Sequence, residues 1–104
     1  MTAPIDIGVS MRTEVLEHKL RDGKVAEGRY CYWSLASEVP DGVSTGSRLW
    51  VANGGRWVGY FTVIEQGMAG SNEVCFYSED FHCVDGGPRK PFMGFTYKVP
   101  GRET

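Results

Sequence analysis

The chain has 104 residues, of which 41% are hydrophobic and 12% aromatic, and its formal net charge is −2. The length predicts one domain over residues 1–104, and the apolar share excludes a disordered or low-complexity chain. The acidic balance excludes a protein that coats nucleic acid without specificity, because such binding needs a dominant positive surface. It still leaves room for one local basic site.

The first predicted element is a helix over residues 10–21. Ser10 is expected to be its N-cap, with the hydroxyl accepting an otherwise unpaired N–H of the first turn. Apolar side chains then recur at helical spacing, at Met11, Val15, Leu16 and Leu20. Gly23 is expected to end the helix, because only glycine adopts the left-handed conformation at little cost.

The rest of the chain has the composition of β-strands, rich in aromatic and β-branched residues. Strands are predicted over residues 25–35, 48–52, 57–65, 73–77, 81–84 and 92–99. Residues 53–56, with the sequence Asn-Gly-Gly-Arg, predict a hairpin turn between the second and third of these strands. Residues 85–88, with the sequence Asp-Gly-Gly-Pro, are expected to interrupt the β structure between the last two predicted strands.

The strand over residues 57–65 is apolar on both faces, which indicates that both faces are covered. Strict alternation assigns one face to Trp57, Phe61 and Val63, and the other to Val58, Tyr60 and Ile64. Gly59 in mid-strand favours a bend or a bulge. We therefore expect a mostly β fold with one N-terminal helix (α+β), a small antiparallel barrel of five or six strands capped by the helix.

Three charged residues lie where the helix gives way to the first long strand. Glu27 and Arg29 share a face of that strand, and the same face continues into an apolar row. Because bare charges are costly to bury, both are expected at the mouth of the barrel, with Lys24 overhanging it from the preceding turn. A cation, an acceptor and a guanidinium around an apolar mouth suit a planar polar ligand such as a base with its phosphate.

The segment from Lys24 to Arg29 resembles the Gly-x-Lys-x-x-Glu-x-Arg signature of the ASCH domains, a family of small barrels related to the PUA RNA-binding domains. Asp22 stands where that family has its glycine. Residues 46–51 and 58–63 are similar to later segments of the family. The resemblance implies a PUA-like barrel that binds RNA, a nucleotide or a modified nucleoside in a cleft at its mouth.

The resemblance also leaves an enzyme open, since some ASCH domains are amidohydrolases of acylated cytidine that use a lysine, a threonine and a glutamate. Lys24 matches the lysine, whereas Val25 and Ala26 supply no hydroxyl beside it. A catalytic Lys24 would need a pKa lowered by burial or by a nearby cation such as Arg29. Whether the protein is an enzyme is therefore undecided, and no catalytic residue is assigned.

Aromatic and basic residues elsewhere extend the predicted site. Trp50 shares strand parity with Arg48, and an aromatic ring beside a cation can stack a base; alternatively, the tryptophans fill the core. Tyr32 is expected on the more exposed face of its strand. Arg89 lies in a Pro-bracketed basic stretch that either extends the basic rim or is simply a loop. The predicted ligand-binding residues are Lys24, Glu27, Arg29, Tyr32, Trp50 and Arg89.

Two further interpretations of these residues compete with nucleotide binding. Glu27 and Arg29 can form an ordinary surface ion pair, with Lys24 solvated. The chain can also be a non-enzymatic accessory domain that binds a small organic ligand or a protein through its aromatic surface. The partner we expect is RNA or a nucleotide-like small molecule, with no membrane partner and no cofactor.

Cysteine usage predicts a cytoplasmic location, because three cysteines without a basic and apolar leader are typical of a reducing compartment. No stretch approaches the roughly 20 apolar residues that a membrane span needs. No metal site is predicted either, since Cys75, His82 and Cys83 fit no zinc spacing.

Overall fold

A computed structural model describes residues 4–25, 30–35, 39, 42–65, 72–90, 94–97 and 99–100, with side chains described except at 22–25, 30–32, 65, 73 and 77–79. The elements in chain order are β1 (Ile7–Ser10), α1 (Thr13–Val25), β2 (Tyr30–Ser34), β3 (Arg48–Asn53), β4 (Arg56–Glu65), β5 (Glu73–Pro88) and β6 (Phe95–Thr96). The described chain is thus mostly β with one early helix, as the sequence predicts.

The strands form one curled, half-barrel sheet in the order β2-β5-β4-β3-β1-β6. Four of the described pairings are antiparallel, but β1 runs parallel to β3, with Ile7 opposite Leu49. The sheet is therefore mostly antiparallel, with one parallel pairing at β1. The parallel pairing arises because Ile7–Ser10 joins the sheet as β1, a strand that the sequence does not predict.

The helix begins later and ends later than the sequence predicts. Ser10 pairs with Ala52 as the last residue of β1, so it does not cap the helix. The N–H of Leu16 donates to the carbonyl oxygen of Arg12 at 3.0 Å, which puts Arg12 in the N-cap position. At the other end the helix passes Gly23 and continues to Val25.

One apolar layer lies between the helix and the sheet, and we call it the helix-side layer. Its fully buried members include Leu49, Val51, Phe61 and Phe76, and the rings of Phe61 and Phe76 are stacked with centroids 4.2 Å apart. The predicted apolar stripe meets this layer through Met11, Leu16 and Leu20. The exception is Val15, which is 36% exposed and does not face the core.

A second apolar layer covers the opposite face of the sheet, and we call it the tryptophan layer. It consists of Trp50, Ala52 and Trp57, with Tyr60 and Val99 packed against it. Side chains alternate between faces along β3, which sends Trp50 to this layer and its neighbours in β3 to the helix-side layer. The prediction that β4 is covered on both faces is confirmed.

A bulge in β4 corrects the predicted assignment of its faces. Val51 pairs with Gly59 and the next residue of β3, Ala52, pairs with Trp57, so Val58 is an extra residue on β4. Trp57 therefore lies on the same face as Tyr60, whereas Val58 packs on the helix-side layer. The bulge itself is where Gly59 predicted it, and Gly59 has a φ of +156°.

The turn after β3 has the predicted geometry, but β5 does not. Gly54 and Gly55 have φ values of +60° and +80°, as a tight hairpin between β3 and β4 requires. The two predicted strands at 73–77 and 81–84 are parts of one strand that bends where the β4–β5 register shifts. Residues 85–88 do not interrupt the β structure, because Gly87 and Pro88 still pair with β4.

Two other strands are shorter than the sequence predicts. The described part of β2 is Tyr30–Ser34, and Val25, the predicted start of that strand, belongs to the helix. β6 is limited to Phe95–Thr96 and pairs with Gly8 and Val9 of β1. The described residues beyond β6, at 97 and 99–100, thus lie outside this strand pairing.

The bulge predicts that Gly59→Ala lowers the free energy of unfolding by about 3 kcal/mol. The added Cβ would lie against the His82 carbonyl oxygen, in a backbone conformation that side chains rarely adopt. The matched control is Gly54→Ala, which also has positive φ but meets nothing within 4 Å, and is expected to cost about 1 kcal/mol. Urea unfolding measures both values. Equal costs for the two variants would contradict the close approach at Gly59.

Candidate functional site

A row of three rings crosses β3, β4 and β5 on the face opposite the helix, and we call it the ring row. Trp50 pairs with Tyr60, and Tyr60 pairs with His82. The ring centroids of Trp50 and Tyr60 are 4.9 Å apart, and those of Tyr60 and His82 are 4.7 Å apart with an interplanar angle of 15°. Cross-strand pairing therefore builds a continuous aromatic surface.

Exposure increases along the ring row from β3 to β5. Trp50 is only 3% exposed, Tyr60 is half-buried, and the His82 side chain is 49% exposed. Asp80 lies at the exposed end, where its Oδ1 is 3.1 Å from Nε2 of His82. The row thus has an anchored end in the core and an open end that a molecule from solvent can reach.

A guanidinium lies over the middle of the row. The Cζ atom of Arg48 is 4.6 Å from the centroid of Tyr60, within the range of a cation–π contact. Asp6 fixes the position of this residue, since its Oδ1 accepts the backbone N–H of Arg48 at 2.8 Å. None of the ion pairs among the described residues involves Arg48, so its charge is available for an anionic ligand.

A second guanidinium lies at the other end of the tryptophan layer. Arg89 has its Cζ atom 5.9 Å from the ring centroid of Trp57, and its Nη2 is 3.4 Å from Oγ1 of Thr96. Its backbone N–H donates to the Gly55 carbonyl oxygen at 2.7 Å. Trp57 in turn meets Trp50 edge to face, with centroids 6.4 Å apart.

The structure brings together two of the six predicted site residues, Trp50 and Arg89, through their shared neighbour Trp57. Trp50 and Arg48 both contact Tyr60, which confirms that they share a face. Trp50 is also buried, as the core interpretation of the tryptophans predicts.

The other four predicted residues are described only in part or not at all. The backbone of Lys24 lies in the last turn of α1, not in a turn that precedes a strand. Glu27 and Arg29 lie outside the described residues, and so the proposed grouping with Lys24 stays a prediction. The backbone of Tyr32 belongs to β2, opposite Cys75, and its side chain is not among those described.

Sequence reasoning missed the role of His82 and Asp80. In the sequence, His82 is evident as a candidate metal ligand that fits no zinc spacing. The signal that places His82 beside Tyr60 is the register of β4 against β5, and bulges on both sides of this pair shift that register. Alternation along a single strand contains no such information.

A surface hollow of about 210 Å³ lies at the far end of β4, lined by Arg56, Trp57, Val58, Cys83 and Asp85. Nη2 of Arg56 donates to Oδ1 of Asp85 at 2.7 Å, and the Gly87 N–H donates to the same oxygen at 3.0 Å. These contacts, first of all the hydrogen bond from Arg56, hold the pKa of Asp85 below its ordinary value of 3.8. The carboxylate thus ties β4 to the end of β5.

The lowered pKa of Asp85 predicts a pH-dependent contribution to stability. Because the carboxylate is favoured in the folded state, its contribution is complete above about pH 5 and is lost as the pH falls through the lowered pKa. Asp85→Asn is therefore expected to unfold at a lower urea concentration than the parent at pH 7, with the difference diminishing as the pH falls below 3.8. Glu17→Gln, at an exposed helix position, is the control. A difference that persists unchanged at pH 2 would contradict the prediction.

Comparison with known proteins assigns no family to this arrangement. A scan against protein-family models finds no matching family, and searches of curated proteins and of solved structures find no significant match. In the part of the chain that the structure describes, no helix has the length and apolar character needed to cross a membrane. The ASCH resemblance stays a prediction, and the functional case depends on the ring row and its cations.

Proposed function

We propose that this protein binds RNA, a nucleotide or a modified nucleoside at the ring row. The observation that carries the proposal is the Arg48 guanidinium, which lies 4.6 Å over Tyr60 and forms no ion pair with a described residue. Beside it, the half-exposed imidazole of His82 is stacked on Tyr60. A base and its phosphate are the ligand parts that match an open ring and an available guanidinium.

The chemistry of the two groups supports this match. Base–aromatic stacking is worth about 1–3 kcal/mol per base and tolerates any base, because every base has a flat π face. A guanidinium offers a planar fork of N–H donors that fits phosphate oxygens in pairs. Histidine and tyrosine are both used as stacking platforms for unpaired RNA bases.

The local charge agrees with a small ligand and not with a long duplex. The whole chain has a net charge of −2, and among the described residues the cations over the rings of this face are Arg48 at Tyr60 and Arg89 at Trp57. Two cations can neutralise one or two phosphates. Because each single-strand phosphate contact contributes about −0.7 to the slope of log affinity against log salt, the expected slope is roughly −1.

The proposal keeps the PUA-like barrel and the cytoplasmic location that the sequence predicts. It assigns the ligand to the ring row, and it retains Lys24, Glu27 and Arg29 as predicted contacts. Helix α1, in which the Lys24 backbone lies, covers the helix-side layer, whereas Trp50 and Tyr60 belong to the opposite layer. The Lys24 backbone and the ring row therefore lie on opposite faces of the sheet.

Arg48→Ala is expected to weaken binding of a fluorescein-labelled uridine decamer at least about tenfold, a loss of about 1.4 kcal/mol. The physical reason is the loss of a phosphate contact and of the cation above Tyr60. Fluorescence anisotropy measures the affinity, with uridine 5′-monophosphate as an unlabelled competitor that reports on a single nucleotide. Arg21→Ala is the matched control, because it removes the same charge from an exposed helix position and should change the affinity less than about twofold.

Each result separates the proposal from its rivals. An equal loss in both arginine variants would indicate non-specific attraction and contradict the site. Binding of an apolar dye beside Trp57 with no effect of salt, in the absence of RNA or nucleotide binding, would favour the accessory-domain alternative. Absence of any RNA or nucleotide binding by the parent protein would overturn the proposal.

A further inference from the structure

Residues 99–100 lie over the tryptophan layer, beyond the end of β6. Val99 packs against the Trp50–Trp57 cluster. A Cβ atom on Gly86 would stand 2.6 Å from Cγ of Pro100, 2.7 Å from Cβ of Trp57 and 3.4 Å from Cζ3 of Trp50. The proline and both tryptophans therefore converge on a position that only glycine can occupy. We call residues 99–100 the cover.

The hydrogen bonding of the cover is local. The Val99 N–H donates to the carbonyl oxygen of Tyr97, two residues earlier, at 3.0 Å. β6, the last strand before the cover, consists of only Phe95 and Thr96. The cover thus meets the sheet through apolar side chains, and such contacts can be given up without leaving strand N–H groups unpaired.

A buried donor belongs to Trp50, whose Cζ3 edge lies near the cover. Nε1 of Trp50 is inaccessible to solvent and has no hydrogen-bond partner among the described residues. A buried N–H without a partner has lost its hydrogen bonds to water and gained none in exchange, which destabilises the closed arrangement. Most tryptophans avoid that cost by directing the indole N–H to a partner when they are buried. Here the donor belongs to the same ring that contacts Tyr60 in the ring row.

We propose that the cover is displaceable, and that a carbonyl oxygen of the bound base accepts a hydrogen bond from Trp50 Nε1 once the cover has moved. This inference rests on the proposed function, since it names the part of the nucleotide that enters the tryptophan layer. The base is assigned to Trp50 and the phosphate to Arg48, because a neutral carbonyl suits an apolar layer and an anion suits the guanidinium. Because only molecules with an open cover can bind in this way, the apparent affinity is the intrinsic affinity multiplied by the fraction of open molecules.

The first test follows the Trp50 indole N–H signal by NMR in the ¹⁵N-labelled full chain, with Trp50→Phe used to assign it. Uridine 5′-monophosphate, which has base carbonyls, is expected to shift this signal, whereas ribose 5-phosphate, which has no base, is not. Equal shifts with both ligands would overturn the assignment of the base to Trp50. A nucleotide that binds without any shift of this signal would overturn it as well.

The second test opens the cover by a double substitution, Val99→Gly with Pro100→Gly, in the full chain. Hydrogen exchange of the Trp50 indole is expected to accelerate at least about tenfold, and the affinity for uridine 5′-monophosphate to rise about fivefold. Tyr97→Ser is the matched control, because Tyr97 lies in the same segment but is 58% exposed. Unchanged exchange in the double variant would overturn the displaceable cover.

The parent protein supplies a third measurement that needs no variant. If the cover opens by itself, the Trp50 indole exchanges faster than the backbone amide of Phe61, which lies in the fully buried helix-side layer. Equal rates would mean that the indole is reached only by global unfolding, and the cover would be refuted. These exchange rates decide whether the cover opens even where no nucleotide binds. Failure of the proposed function is therefore a separate result.

Discussion

The extra residue in β4 is the constraint on which the two layers depend. Without Val58 as an inserted residue, alternation would direct Trp57 toward the helix, and the far face of the sheet would lose one of its two buried tryptophans. With it, Trp57 joins Trp50 and Tyr60 and supplies the ring on which Arg89 lies. A single bulge thus converts the outer face of a curled sheet into a second apolar layer that can carry a ring row.

The electrostatics of this face show how an acidic protein keeps a usable positive charge. Asp6 accepts the backbone N–H of Arg48, and yet it makes no ion pair with the guanidinium of the same residue. The carboxylate therefore positions the residue without neutralising it. At the other end of the row, Oδ1 of Asp80 contacts Nε2 of His82 at 3.1 Å. Asp6 thus holds the backbone of Arg48, whereas the guanidinium of the same residue lies over Tyr60, an arrangement that suits a site for one anionic ligand.

Local patterns in the sequence were sufficient for β3, for β4 and for the Gly54–Gly55 turn between them, since each follows from residues close together in the chain. They were insufficient for β1, whose partner lies far along the chain, and for the unbroken course of β5. The site shows the same division. The common face of Trp50 and Arg48 could be predicted from parity, whereas His82 could not, because its neighbour Tyr60 is set by a shifted register. The grouping of Lys24, Glu27 and Arg29 at one ligand site remains a prediction.

The parallel pairing of β1 with β3 also affects how the chain folds. Asp6 and Arg48, which begin this contact, are 42 residues apart in sequence, and parallel strands require a crossover before they can meet. Closing so long a loop has an entropic cost, whereas the β3–β4 hairpin needs only a two-residue turn. Ile7 and Val9 precede β3 in the chain and can pair only once β3 is present, so we expect the β3–β4 hairpin to form before β1 docks onto it.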